Sequence, residues 1–143
     1  MRKSTLCILA LLIGSSLALD PIQKCRKKSS RPIHPMIKSV QPVTANLPDT
    51  WVWNNISGTN YLTNIKNQHL PEYCGSCWAQ AATSSLSDRI KIARKAVWPD
   101  INIAPQVVIS CSKNDDGCHG GEAISAFEFM HNNNVTDETC SIY

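Results

Sequence analysis

The chain has 143 residues, of which 43% are hydrophobic, and a formal net charge of +3. This length accommodates about one globular domain, and the composition excludes collagen-like and low-complexity proteins. No apolar run reaches the roughly 20 residues that a membrane-spanning helix needs, so no membrane partner is expected.

Residues 1–18 have the three parts of a secretory signal peptide. Arg2 and Lys3 form a positively charged start, LCILALLIG is an apolar middle, and small residues end the segment at Ala18. This order predicts entry into the secretory pathway, with the lysosome, vacuole or extracellular space as destination and disulfides permitted. The N-glycosylation sequons expected in that compartment begin at Asn55 and Asn134.

Residues 19–46 form a basic arm with four prolines and no helical periodicity, which indicates an extended, detachable segment. The arm carries six basic side chains and one acidic one, whereas residues 47–143 carry six basic and ten acidic side chains. This difference favours electrostatic docking of the arm on the rest of the chain. Nucleic-acid binding is not expected, because no aromatic residues interleave the basic ones.

Residues 47–143 contain three helical patterns. After LPDTWVWNN at 47–55, a predicted short strand or extended stretch, the strongest helix is predicted from Cys77 to Lys95 with Ser76 as N-cap. A second is predicted over 105–111, because proline is favoured at the first helical position, and a third over 122–131. The apolar stripe predicted for the first helix comprises Trp78, Ala82, Leu86, Ile90 and Ala93.

The sequence NQHLPEYCGSCWAQ, residues 67–80, contains the predicted nucleophile. Cys77 begins the first predicted helix, where the backbone dipole and the unpaired amide donors favour a thiolate. Cys74 lies in the preceding loop, so a structural disulfide is expected of it. Residues 47–143 contain five cysteines, so four can pair and one is left free, and three pairings of the four are open.

Two other chemistries are possible for the CGSC segment. A redox dithiol would need a preceding parallel strand, which NQHLPEY does not indicate. A structural zinc site is uncommon in secreted domains, where thiols oxidise, so no metal is expected. The ligands of such a zinc site would be Cys74, Cys77, Cys118 and His119.

The string CGSCW resembles the active-site signature of papain-like cysteine proteases, and DRIKIARKAVWP, CHGG and TDETC extend the resemblance over residues 47–143. The resemblance implies an α+β papain-like fold. Of that fold the chain would hold a signal peptide (1–18), a prosegment (19–46) and the mainly helical left domain (47–143), without the β-rich right domain. It implies no cofactor, and as partners peptide or protein substrates with a free C-terminus, the chain's own prosegment and cysteine-protease inhibitors.

The resemblance also assigns roles to residues around Cys77. Cys77 would attack the peptide carbonyl, with its own N–H and the Gln68 side chain as the oxyanion hole. Gln68 precedes Cys77 by nine residues instead of the usual six, and the insertion HLP contains His69. By resemblance to carboxypeptidases of the family, His69 would bind the terminal carboxylate of the substrate. The other substrate-binding residues would be Gly75, Trp78, Gly120 and Gly121.

The cysteine pairings are likewise implied by the resemblance. They join Cys74 to Cys118 and Cys111 to Cys140. Cys25 in the basic arm resembles a prosegment cysteine that bonds the catalytic sulfur and keeps the proenzyme silent. A free or intermolecularly paired Cys25 is the alternative.

No catalytic base is identified in the sequence. Papain-like proteases place the histidine and its orienting asparagine roughly 130 to 150 residues beyond the cysteine, whereas 66 residues follow Cys77. His34, His119 and His131 lie in no motif of a base. We therefore expect a cysteine carboxypeptidase made as a proenzyme, with this chain alone inactive. The alternative is a truncated, non-catalytic product that binds peptides or inhibitors.

Overall fold

The computed structural model describes residues 47–143, which contain three α-helices and no β-strand. The helices are α1 (Cys77–Ala93), α2 (Pro105–Cys111) and α3 (Ala123–Asn132). α1 packs against both shorter helices, which also contact each other. Within this part of the chain, no helix is long and apolar enough to cross a membrane. The predicted signal peptide and basic arm lie outside the described residues.

α1 begins at the predicted residue and ends two residues before the predicted end. Ser76 is the N-cap residue, but its hydroxyl makes no capping hydrogen bond; two helix N–H groups instead bond to its carbonyl. At the other end, Lys95 and Ala96 have φ angles of 54° and 56°. This left-handed backbone cannot continue a right-handed helix, so α1 stops at Ala93.

The core lies where α1 meets the two shorter helices. Ala79 and Ala82 of α1 and Ala126 of α3 are almost completely buried. Their short side chains allow the helix axes to come close together. The buried cluster consists of Cys74, Trp78, Ala79, Ala82, Val108, Ile109 and Ala126.

The predicted apolar stripe of α1 is correct only in its first half. Trp78 and Ala82 are buried, Leu86 and Ile90 are half-buried, and Ala93 is exposed. Further along the helix, the buried positions are Thr83 and Ser87. Their hydroxyls donate to the carbonyls of Ala79 and Thr83 at 2.9 and 2.8 Å, which satisfies polar groups that would be costly to bury unpaired.

Residues 47–55 form no strand, and they contain a bend at Asp49 and a turn at Trp53 and Asn54. The Trp53 ring makes T-shaped contacts with two other rings. The centroids are 5.5 Å apart for Trp51 and 6.3 Å apart for Tyr61. The N–H of Tyr61 donates to the Trp53 carbonyl at 2.9 Å, and an isolated bridge joins Ile56 to Thr59 just after this segment. The predicted short strand is therefore absent from this stretch.

A turn near residue 137 is attached to the segment before α2. The N–H of Ala104 donates to the Thr136 carbonyl at 3.0 Å, and the N–H of Glu138 donates to the Asn102 carbonyl at 2.8 Å. The carboxylate of Asp137 accepts from the Asn102 N–H at 2.7 Å. Hydrogen bonds from the backbone N–H groups of Thr139 first, and then of Asn102, lower the pKa of Asp137 below its ordinary value.

The expected disulfide between Cys111 and Cys140 is absent, and this pairing is wrong for the structure. Both cysteines are free and exposed. The turn that carries Cys140 is attached to residues 102–104, before α2 begins, whereas Cys111 is the last residue of α2. The seven residues of α2, with a rise of about 1.5 Å each, separate the two attachment points.

Candidate active site

An open cleft of about 360 Å³ lies at the N-terminus of α1. It brings together three predicted site residues, Cys77, Gln68 and His69. Cys77 is the first residue of α1, so the sequence-based placement of the cysteine at a helix start is confirmed. The remaining residues that line the cleft are Lys66, Asn67, Gln80, Ala81 and Ser84.

Cys77 is solvent-exposed and is itself disulfide-bonded. Its partner is not among the residues that the structure describes. Cys77 is therefore not a free thiol in this form. Cys25, the expected partner, also lies outside the described residues.

The loop that carries Gln68 and His69 is closed on itself. The N–H of Cys74 donates to the Gln68 carbonyl at 3.0 Å, so the residues between them project as one turn. The N–H of His69 donates to Oδ1 of Asn67 at 2.9 Å. The His69 ring packs at a tilt against Tyr73, with centroids 5.2 Å apart. The extra HLP residues are thus accommodated while Gln68 and His69 stay at the cleft.

A disulfide between Cys74 and Cys118 joins this loop to the glycine-containing loop that follows α2. The pairing implied by the family resemblance is present. Next to it, the N–H of Gly75 donates to the Cys118 carbonyl at 2.7 Å. A Cβ at Gly75 would lie 2.5 Å from that same carbonyl oxygen, so the close approach requires glycine.

This disulfide also contradicts the two other chemistries considered for CGSC. The zinc site would need Cys74 and Cys118 as thiolates, but these sulfurs are bonded to each other. The redox dithiol would need a bond between Cys74 and Cys77, yet Cys74 pairs with Cys118 instead.

Trp78, which follows Cys77 in α1, packs against the glycine-containing loop. Trp78 is 4% exposed, and its Nε1 donates to the Gly117 carbonyl at 3.1 Å. A Cβ at Gly121 would lie 2.5 Å from Cδ2 of Trp78, so the tryptophan ring rests directly on this backbone. Four predicted substrate-binding residues are buried and do not line the cleft: Gly75, Trp78, Gly120 and Gly121.

Other predicted residues lie away from the cleft lining. His119 and His131 are exposed, and neither belongs to that lining. The sequon residues Asn55 and Asn134 are exposed and outside the helices, where an enzyme could reach them. Oδ1 of Asn55 accepts from the Gly58 N–H at 3.1 Å within its turn.

Two residues near the cleft were not predicted. Lys66 lines the cleft, and its Nζ bonds to Oε1 of Glu138 at 2.6 Å. Tyr143 places its hydroxyl 2.9 Å from Ser76 Oγ and 3.3 Å from the Gln68 carbonyl. No spacing rule connects residues 67 and 75 positions apart, so the sequence carries no signal for these contacts.

The family model for papain family cysteine proteases matches residues 47–143. The chain is 45% identical over 98 residues to "Cathepsin Z" of Onchocerca volvulus, which covers 68% of this chain and 32% of the relative. It is 31% identical over 108 residues to "Cathepsin B" of Dictyostelium discoideum, covering 75% and 33% respectively. The chain therefore spans about a third of the length of the curated relatives it matches.

Among solved structures, the digestive procathepsin L2 proteinase from the larval midgut of Tenebrio molitor superposes with a TM-score of 0.61 at 28% identity. The match covers 70% of this chain and 30% of that one. The helical arrangement described above thus agrees with part of a larger fold of the same architecture.

Proposed function

Because the chain belongs to the papain family of cysteine proteases, we propose that it supplies the nucleophile side of a peptidase that removes C-terminal residues. The observation that carries this proposal is the cleft at the start of α1, which unites Cys77, Gln68 and His69. These are a nucleophile, an oxyanion donor and a group suited to a carboxylate, all on one surface.

The first step is attack of the Cys77 thiolate on the carbonyl carbon of the scissile peptide. A carbon–sulfur bond forms, and the π electrons of the carbonyl move to its oxygen. The N–H of Cys77, the first of α1, has no acceptor within its helix, so it is suited to this oxyanion together with the Gln68 amide. The C–N bond then breaks, the leaving amine takes a proton, and water hydrolyses the acyl-enzyme.

The proton transfers in these steps need a base. His119 and His131 do not line the cleft, and His69 is assigned to the substrate carboxylate. The relatives are about three times as long as the matched region. We place the catalytic histidine and its orienting asparagine in the part of the relatives that this chain does not match.

The preference for a free C-terminus is assigned to His69. His69 lines the cleft together with Cys77, and its ring packs against Tyr73, which supports a role in binding the end of a substrate. Lys66, the only lysine in the cleft lining of the described chain, is 9% exposed and paired with Glu138, which leaves it less suited to a substrate carboxylate. The similarity to "Cathepsin Z" supports this assignment.

The form described here is proposed to be latent. A disulfide at Cys77 removes the thiolate that the reaction needs. We propose Cys25 of the 19–46 prosegment as the partner, in a proenzyme that enters the secretory pathway and reaches a lysosome, vacuole or the extracellular space. Peptide mapping of the unreduced protein would contradict this if Cys25 and Cys77 were found in separate disulfides.

The proposed activity can be tested after reduction of the Cys77 disulfide on the full-length protein, meaning this chain together with the region that carries the proposed base. One peptide is offered in two forms, with a free C-terminal carboxylate and with a C-terminal amide. Much faster release of single residues from the free acid than from the amide, abolished for both by Cys77→Ala, is the expected result. Equal cleavage of both forms, or cleavage that survives Cys77→Ala, would refute the carboxypeptidase assignment.

The 143-residue chain by itself is expected to show no turnover, because the proposed base is elsewhere. The same assay applied to this chain decides the point. Release of residues that depends on Cys77 would contradict the placement of the base.

A further inference from the structure

Four polar groups form one continuous chain of hydrogen bonds beside the cleft. Nε2 of Gln80 lies 3.0 Å from Oγ of Ser76, which lies 2.9 Å from Oη of Tyr143. Oη of Tyr143 in turn lies 3.3 Å from the carbonyl oxygen of Gln68. The chain thus begins in the first turn of α1 and ends at the backbone of the proposed oxyanion donor.

The chemistry of the two ends fixes the direction of the chain. The Gln80 Nε2 group donates, and a backbone carbonyl can only accept. Each hydroxyl between them has one hydrogen, so Ser76 Oγ accepts from Gln80 and donates to Tyr143, and Tyr143 Oη donates to Gln68. The alternative acceptor for Ser76, the Cys74 carbonyl, is farther away at 3.4 Å.

Burial of Ser76 and Gln80 makes the loss of any of these hydrogen bonds costly. Ser76 is 0% exposed and Gln80 is 7% exposed, so little water can replace a missing partner. The oxygen of Ser76 accepts from the Gln80 side chain, whereas a capping hydroxyl would accept from a backbone N–H of α1.

Within residues 47–143, the Gln68 carbonyl accepts two hydrogen bonds. One donor precedes α1 in the sequence and the other follows it. One comes from the N–H of Cys74, which closes the loop, and the other from Tyr143, which is hydrogen-bonded to the N-cap residue of α1. A single bond would leave the Gln68 peptide able to rotate about it. Two bonds restrain this peptide more than one would, and Gln68 is one of the residues that line the cleft.

We propose that Tyr143 is a positioning residue for the oxyanion hole, acting through the Gln68 carbonyl and through Ser76. This inference rests on the proposed function, since it assigns Tyr143 a role in that site. It predicts that the Tyr143 hydroxyl controls the mobility of Gln68 and the stabilisation of an oxyanion on the Cys77 adduct. The reactivity of the sulfur toward a reagent that develops no oxyanion should not depend on it.

The first experiment measures mobility in the full-length protein and needs no activity. In Tyr143→Phe, NMR relaxation of the Gln68 side-chain amide is expected to show larger-amplitude motion than in the wild type. Ser76→Ala, which removes the hydroxyl between Gln80 and Tyr143, is also expected to increase this motion. Tyr61→Phe is the matched control, because Tyr61 is a half-buried tyrosine outside the cleft lining. Unchanged Gln68 motion in Tyr143→Phe would overturn the proposal.

The second experiment compares two reagents on reduced Cys77. A peptide aldehyde forms a hemithioacetal whose oxygen occupies the oxyanion hole, whereas iodoacetamide alkylates sulfur by displacement of iodide without forming an oxyanion. Tyr143→Phe should weaken aldehyde binding by about tenfold, less than loss of an oxyanion donor itself. The alkylation rate should stay equal to that of the wild type and of Tyr61→Phe.

The outcomes separate the two hypotheses. Equal loss of both reactivities in Tyr143→Phe would indicate general damage to the fold and overturn the positioning role. Failure of the wild type to bind any peptide aldehyde would count against the proposed function, while the motion of Gln68 would still decide whether Tyr143 positions it.

Discussion

The backbone N–H of Cys74 donates to the carbonyl of Gln68 at 3.0 Å, and this bond closes the loop that carries His69. Cys74 is also bonded to Cys118, so the loop is attached to the following glycine-containing loop by a covalent link. The geometry of the cleft therefore depends on one cysteine that takes no part in the proposed chemistry.

Loss of the Cys74–Cys118 disulfide should lower the stability of the domain. The two residues are 44 apart in sequence, and a crosslink of this kind contributes about 2–4 kcal/mol, mainly by restricting the unfolded chain. Cys118→Ser should reduce the free energy of unfolding by that amount, measured by urea denaturation without reductant. Cys111→Ser is the control, because Cys111 is free and exposed. An equal effect of both substitutions would contradict the assignment.

Removal of the His69 imidazole should abolish the preference for a free C-terminus. A hydrogen bond to a charged group contributes about 1.5–3 kcal/mol, so His69→Ala should lower kcat/KM for the free acid by about tenfold or more. Cleavage of the amidated peptide should change little, because it lacks the charged partner. His119→Ala serves as the control, since His119 is exposed and outside the cleft lining. If both peptides lose activity equally, His69 has a different role.

A side chain at Gly121 should displace the Trp78 ring. The added Cβ would lie 2.5 Å from Cδ2 of Trp78 and 2.7 Å from Oδ1 of Asp115. Overpacking of this kind costs about 1–3 kcal/mol, so Gly121→Ala should lower the unfolding free energy by that amount. Gly58→Asn is the control, because no atom lies within 4 Å of a Cβ there and asparagine tolerates its φ of +84°. A fully stable Gly121→Ala protein would show that the ring can move freely.

Acid should weaken the attachment of the turn at Asp137. The N–H groups of Thr139 and Asn102 lower the pKa of this carboxyl in the folded protein, so the ionised form stabilises the fold. Its contribution is present above the ordinary pKa of 3.8 and is lost as the pH falls through the lower folded value.

This prediction is checked by urea unfolding at one pH above 3.8 and one well below it. The wild type should lose more stability between the two than Asp137→Asn does, because the amide cannot titrate. Asp49→Asn, at an exposed position, should behave like the wild type. An Asp137→Asn protein with the full wild-type pH dependence would argue against the assignment.

The helices show which parts of the fold could be predicted locally. α1 starts at Cys77 as predicted, α2 has the predicted bounds, and α3 is displaced by one residue at each end. These boundaries depend on neighbouring residues, such as Pro105 at the first helical position of α2. The prediction of which face of α1 is buried was correct only for the first half of the helix. Thr83 and Ser87 are buried because their hydroxyls bond to the preceding turn of the helix, which apolar periodicity does not register.

The cysteines show the limit of reasoning from number and resemblance. The resemblance to papain-like proteases gave the Cys74–Cys118 pair correctly, but it also gave a Cys111–Cys140 pair that the structure lacks. Counting could not distinguish these cases, because any four cysteines can pair in three ways. The separation of the Cys111 and Cys140 sulfurs depends on where the turn near Asp137 is attached, and that attachment is to residues 102–104.

The sequence by itself determined the family and the helix whose first residue is the proposed nucleophile, since CGSCW and the pattern after it are local features. Only the tertiary structure decided what supports Gln68. Tyr143 contacts Ser76 and Gln68 across 67 and 75 residues, and the hydroxyl of Ser76 bonds to Tyr143 and Gln80 without capping its own helix. A hydroxyl has one hydrogen to donate, and its partner depends on which groups the folded chain brings within about 3 Å, so local sequence could not determine it.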